Sequence, residues 1–91
     1  MGFAELKAPK GVIKVVLEKD GDKISTISIS GDFFMYPEEA LEEMEKMLLG
    51  TKIDREELTT KIKEFYQRTN TQTPMVSVEH WVEAIMKAAE S

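Results

Sequence analysis

Two runs rich in β-branched residues, Val12-Ile-Lys-Val-Val-Leu-Glu18 and Lys23-Ile-Ser-Thr-Ile-Ser-Ile-Ser30, flank the dipeptide Asp20-Gly21. Branching at Cβ favours the extended backbone, and Asp-Gly is a strong hairpin signal, so the first third of the chain is expected to form an antiparallel pair. The pattern constrains the register as well. Ile13, Val15 and Leu17 share one face of the first strand, and Ile27 and Ile29 share one face of the second. A two-residue turn at Asp20-Gly21 pairs Val15 with Thr26 and Ile13 with Ser28, which sends Ile27 and Ile29 to the wrong side. An odd-length connection restores them. The expectation is a three-residue loop with Gly21 at φ > 0 in a bulge, leaving Ser25, Thr26, Ser28 and Ser30 solvated or strand-pairing. Residues 3–6, Phe-Ala-Glu-Leu, read as a short edge strand that Pro9 and Lys10-Gly11 interrupt.

The remaining two thirds changes period. Leu41, Met44 and Leu48 recur at helical spacing, Pro37 suits the first helical position, Glu38 and Glu39 suit the positive end of the helix dipole, and Gly50 suits a C-terminal cap. Asp54 with Glu57 resembles a capping box opening a second helix, whose Leu58, Ile62 and Phe65 lie on one face. Residues 69–76 read as a loop. Ser77 then caps a third helix, with Val76 and Trp81 as a hydrophobic staple and Val78, Val82, Ile85 and Ala89 as its stripe. Strands first and helices after predict an α+β fold: a small antiparallel β-sheet, a hairpin plus a possible third edge strand, followed by about three helices packed on one face.

A chain of 91 residues without long Gly/Ser/Pro stretches is expected to be a single domain over 1–91. So small a core competes with any deep substrate cavity for the same apolar residues. The net charge of −5 is concentrated in residues 31–60, where nine carboxylates stand against three cations, and it reads as a solvated acidic face. No basic stripe suits a phosphate backbone, so nucleic acid is not an expected partner. No segment has the roughly 20 apolar residues of a membrane span and the N-terminus lacks an apolar signal core, so a soluble cytoplasmic protein without a membrane role is expected.

Candidates for chemistry are few. With no cysteine, thiolate metal sites and thiol nucleophiles are excluded. The single histidine, His80, has no second ligand at helical spacing. Ser25, Ser28 and Ser30 lack a nucleophile elbow that would set one of them against His80 and Asp32. The pairs Glu38-Glu39, Glu42-Glu43 and Glu56-Glu57 lack the apolar surroundings that tune a carboxyl group, and the glycines form no phosphate-binding loop. No catalytic, cofactor-binding or metal-binding residue is therefore assigned. The distinctive segment is Ile29-Ser-Gly-Asp-Phe-Phe-Met-Tyr-Pro37, where a strand runs through a Gly-Asp step into four large side chains. Phe33 and Phe34 alternate faces, so one plugs the core more easily than both, while Trp81 belongs to the core. Aromatic and Met side chains also favour interface cores, which makes Asp32, Phe33, Phe34, Met35 and Tyr36 the partner-interface candidates.

In order, Ile24-Ser-Thr-Ile-Ser-Ile-Ser-Gly-Asp-Phe-Phe34, Pro37-Glu-Glu-Ala-Leu-Glu-Glu-Met-Glu45 and Leu49-Gly-Thr-Lys-Ile-Asp-Arg-Glu-Glu-Leu58 resemble the C-terminal accessory domain of lipoate protein ligases, over roughly residues 10–87. In most such ligases the domain follows a large catalytic domain. Here Met1 lies just before it, so the chain looks like the stand-alone small subunit that archaea pair with a separate catalytic chain. The resemblance implies a non-catalytic accessory subunit, not an enzyme by itself. Its partner would be the catalytic large subunit of an ATP-dependent lipoate protein ligase. The complex would use ATP with Mg and lipoate to form lipoyl-AMP, then lipoylate a lysine on lipoyl domains of 2-oxoacid dehydrogenase or glycine-cleavage proteins. The family's catalytic and nucleotide-binding residues lie in the large domain, so none maps onto this chain. The alternative is a protein-binding adaptor of the same small α+β type, and a sulfur or iron-sulfur scaffold is disfavoured by the absence of cysteine.

Overall fold

The computed structural model describes residues 2–8, 11–33, 35–73 and 76–90. Three strands, β1 (Gly2–Ala8), β2 (Gly11–Asp20) and β3 (Lys23–Asp32), form one antiparallel sheet in the order β1-β2-β3. Three helices follow, α1 (Ala40–Leu48), α2 (Arg55–Thr69) and α3 (Val78–Glu90). The edge strand expected at 3–6 is longer than its apolar pattern suggested, and it pairs with β2 from Gly2↔Leu17 to Ala8↔Gly11.

The hairpin corrects the loop expectation while keeping its logic. Asp20 pairs with Lys23, so the turn holds only Gly21 and Asp22, with φ 66° at Gly21. A positive φ at the first of two turn residues is the type II′ pattern, which matches the twist of the flanking strands. The odd step falls in β3 instead: Lys19 faces Ile24 and Glu18 faces Thr26, leaving Ser25 as the extra residue of a bulge. The reason lies in Ile24. It is even-numbered where Ile27 and Ile29 are odd, and only an inserted residue between them turns all three toward the same face. Ile24 and Ile29 are buried and Ile27 packs against the core, while Ser25, Thr26, Ser28 and Ser30 are exposed.

The inner face of β2, Ile13, Val15 and Leu17, meets the helices. α3 packs on β1 and β2 through a face that includes Ala84, Ile85 and Ala88; α1 packs on β3; α2 lies against α1 and α3. The expected α2 stripe, Leu58, Ile62 and Phe65, is in the core, as are Val82, Ile85 and Ala89 of the α3 stripe, while its Val78 is half-buried and packs against the core. α1 buries Ala40, Met44 and Leu48 and half-buries Leu41. The other face of the sheet carries Phe3, Glu5, Lys14, Val16, Ser28 and Ser30, with Phe3 51% exposed.

The helix ends differ in how closely they follow expectation. Asp54 accepts a hydrogen bond from the Glu57 N–H (3.1 Å), as an N-cap should. At Ser77 the residue three positions on is His80, and its Nδ1 accepts from the Ser77 N–H (2.9 Å), taking the Glu/Gln role of a capping box. Pro37 is not the first helical residue: α1 starts at Ala40, whose N–H donates to the Pro37 carbonyl (3.1 Å) in a preceding turn. The cause is distant, because the backbone of Tyr36 is bonded to Gln72 in both directions (2.9 and 2.8 Å) and the chain must turn before the helix begins. Gly50, with φ 79°, ends α1 through a turn in which the Thr51 N–H donates to the Leu48 carbonyl (3.1 Å).

Candidate functional site

The sheet has two free-standing ends of β3, and the helix linker covers only one. Near the hairpin, the Ile24 N–H donates to the Thr51 carbonyl (3.0 Å), the Gly50 N–H donates to the Ile24 carbonyl (2.8 Å), and the Ile53 N–H donates to the Asp22 carbonyl (2.7 Å). Farther along, the Ile29 N–H donates to the Glu45 carboxylate of α1 (2.6 Å), a side-chain guard on an edge that would otherwise invite strand pairing. Beyond Ile29 the chain enters the segment singled out by its aromatic content.

Gly31 pins that segment. Its φ is 136°, a conformation that side chains rarely adopt, and an added Cβ would stand 2.0 Å from the Val12 carbonyl oxygen. Gly11 meets the same strand from the other side, where an added Cβ would lie 1.9 Å from the Asp32 carbonyl oxygen. Two glycines therefore let β2 and β3 approach closely where β3 ends. Of the interface candidates, Asp32 is exposed at the strand end, Phe33 is half-buried, Met35 is in the core at 7% exposure, and Tyr36 is 52% exposed. Phe34 lies outside the described residues. The fold thus draws the candidates apart: Met35 is committed to the core and offers a partner little, while Asp32 and Tyr36 remain on the surface.

Two shallow clefts meet at Ser30 and Gly31. One, about 360 Å³, runs between β3 and α1 and has Ile29, Phe33, Met35, Leu41 and Glu38 on its walls. The other, about 400 Å³, opens on the uncovered sheet face beside Glu5, Val12, Lys14 and Asp32. The first has an apolar floor with few polar groups at its rim, which suits a macromolecular contact, whereas the second is lined mainly by polar and charged groups. A polyphosphate would find three carboxylates, Glu5, Asp32 and Glu38, against one lysine.

Beneath the segment lies a network that sequence reasoning did not assemble. Phe33 sets its ring edge-on to Trp81, with centroids 5.1 Å apart and planes at 83°. The Trp81 Nε1–H donates to the Tyr66 hydroxyl (2.6 Å), which bonds the Thr73 hydroxyl (2.6 Å), and Thr73 in turn donates to the Val76 carbonyl (2.8 Å). Burial pushes the Tyr66 phenol above its ordinary pKa, against the two hydrogen bonds, which pull it down. The signal available in the sequence was that a buried Trp and Tyr need polar partners, though not which ones.

Other candidates separate. His80 spends its Nδ1 on Ser77, and the serines of β3 are exposed along the sheet. Among the described residues no group of three or more His, Asp or Glu side chains is placed to hold a metal ion. No described helix is long and apolar enough to cross a membrane.

In class, then, this is a small α+β fold, a three-stranded antiparallel sheet followed by three helices. The chain belongs to the family described as the bacterial lipoate protein ligase C-terminus, which matches residues 4–85. It is 43% identical over 79 residues to lipoate-protein ligase A subunit 2 of Thermoplasma acidophilum, covering 87% of this chain and 81% of that one. It also superposes with a TM-score of 0.84 and 41% identity, over 91% of each chain, on a structure of an archaeal lipoylation system, a bi-partite lipoate protein ligase and its E2 lipoyl domain from the same organism.

Proposed function

We propose that this chain is the non-catalytic accessory subunit of a two-chain lipoate protein ligase, working beside a separate catalytic subunit. The observation that carries the reading is the 43% identity, over most of both chains, to a protein named as the second subunit of such a ligase. In the proposed reaction the lipoate carboxylate attacks the α-phosphorus of ATP with Mg, forming lipoyl-AMP and releasing pyrophosphate. A lysine amine on a lipoyl domain of a 2-oxoacid dehydrogenase or glycine-cleavage protein then displaces AMP to form the amide. ATP and lipoate are substrates of the complex and are left to the catalytic subunit, a division that agrees with the acidic rims of the two clefts here.

The contact with the catalytic subunit is assigned to the end of β3, where Asp32 and Tyr36 are exposed and Phe33 lines a cleft. Its role there is to favour the adenylation step by ordering loops of the large subunit. The test is lipoate-dependent pyrophosphate release from ATP by the catalytic subunit, with and without this chain. Release should require the chain or rise strongly with it; equal rates in its absence would remove the role. Asp32→Lys and Tyr36→Ala should each weaken association roughly tenfold, the scale of an interface hot spot, without lowering the melting temperature.

A further inference from the structure

Asp32 closes β3 and Tyr36 sits on the irregular chain that follows, and irregular chain holds a binding shape only if something fixes it. The sheet ends at Asp32 and α1 begins at Ala40, so no regular ladder runs through the segment. Two supports replace it. Phe33 leans edge-on against Trp81, and Tyr36 is tied by two backbone hydrogen bonds to Gln72, the residue next to Thr73.

Those supports are joined by one chain of hydrogen bonds whose direction can be assigned. An indole nitrogen only donates, so Trp81 gives its proton to the Tyr66 oxygen. Thr73 gives its single proton to the Val76 carbonyl, so it can only accept from Tyr66. The order Trp81 to Tyr66 to Thr73 to Val76 uses each proton once and leaves no buried side-chain polar atom without a partner among the described residues. The Tyr66 hydroxyl is the middle link. It fixes the indole on which Phe33 rests and, through Thr73, the segment carrying Gln72, to which Tyr36 is tied.

We propose that Tyr66, Thr73 and Trp81 are positioning residues for the partner-binding end of the chain, a part-buried hydrogen-bond relay that fixes Phe33 and Tyr36 in the arrangement received by the catalytic subunit. The proposal rests on the reading given under Proposed function. Apolar packing alone would bury the same rings, but it would not set the height of Gln72 against Tyr36. Hydrogen bonds with one allowed direction do so, because each has a narrow range of length and angle.

The test is Tyr66→Phe, which deletes one oxygen and both inner links at nearly constant volume. The amount of this chain needed for half-maximal pyrophosphate release by the catalytic subunit should rise about tenfold or more, with the rate at saturation unchanged. Asp54→Ala serves as the stability control, since it removes the α2 cap and does not touch the relay; its half-saturation should equal that of wild type. Thr73→Ser should behave as wild type and Thr73→Val as Tyr66→Phe, and this pair decides the matter if Tyr66→Phe does not fold. A folded Tyr66→Phe or Thr73→Val variant with wild-type half-saturation overturns the proposal. So does an Asp54→Ala variant that shifts as far as Tyr66→Phe, since general stability would then explain both. Wild-type chain that forms no complex and changes no rate would instead bring down the functional reading beneath it.

Discussion

At its start β3 leaves a turn whose Gly21 has φ 66° and open space where a Cβ would be; at its finish Gly31 has φ 136° and a carbonyl oxygen in that space. The first end is then closed by backbone bonds from residues 22–24 to residues 50–53 of the helix linker. The second is closed from below by side chains, with Phe33 on Trp81 and Met35 in the core, and it keeps two clefts on its surface. Backbone pairing takes up the edge groups of residues 22–24, and a shallow cleft at that end, about 320 Å³, lies beside Gly21, Asp22 and Ile53 and away from any aromatic side chain. Side-chain support from one side leaves the other side available, and the difference separates the structural end of β3 from the end assigned to a partner.

Substitutions can break this comparison, and their effects should fall in a defined order. Trp81→Ala should cost about 3–5 kcal/mol, since a fully buried indole and the support under Phe33 are lost together. Thermal melting checks it, at about 4–8 °C per kcal/mol for a domain of this size. Gly31→Ala should cost roughly 2–5 kcal/mol, because an unfavourable φ and a backbone clash add. Gly21→Ala should cost only about 1–2 kcal/mol, from conformation alone. Equal losses at the two glycines would mean that the close approach at Gly31 is relieved by small shifts, and the contrast between the ends would weaken.

A smaller effect comes from alkaline pH. The folded Tyr66 phenol has a raised pKa, so above about pH 10 the unfolded chain gives up a proton that the folded chain keeps. This contribution is full below pH 10 and is lost as pH climbs toward the folded value. Wild type should therefore lose stability more steeply above pH 10 than Tyr66→Phe does in parallel melts, and identical slopes would place the hydroxyl in a less buried setting.

How much of this was legible in the sequence depended on how local the cause was. The Asp54 cap, the start of α3 just after Ser77 and most of the stripes of α2 and α3 could be read because caps and helical period act within a few residues. The hairpin required an odd step, which a loop residue or a strand residue can supply equally; the parity of Ile24 against Ile27 and Ile29 was the clue that chose Ser25. The start of α1 was misplaced because the tie between Tyr36 and Gln72 outweighs the preference of Pro37 for a first turn. At the candidate site, the aromatic segment stood out by composition. Its division into core Met35 and exposed Tyr36, and the relay through Tyr66, depend on which helix lies beneath it, which no local pattern records.

The central claim is that the Gly31 end of β3 faces the catalytic subunit. Hydrogen exchange of this chain, alone and mixed with that separately purified subunit, tests it most directly. Slowed exchange on mixing is expected at the backbone amides of residues 29–36, with those of residues 21–24 and 50–53 unchanged. Protection confined to the hairpin end, or to the outer face of α2, would contradict it.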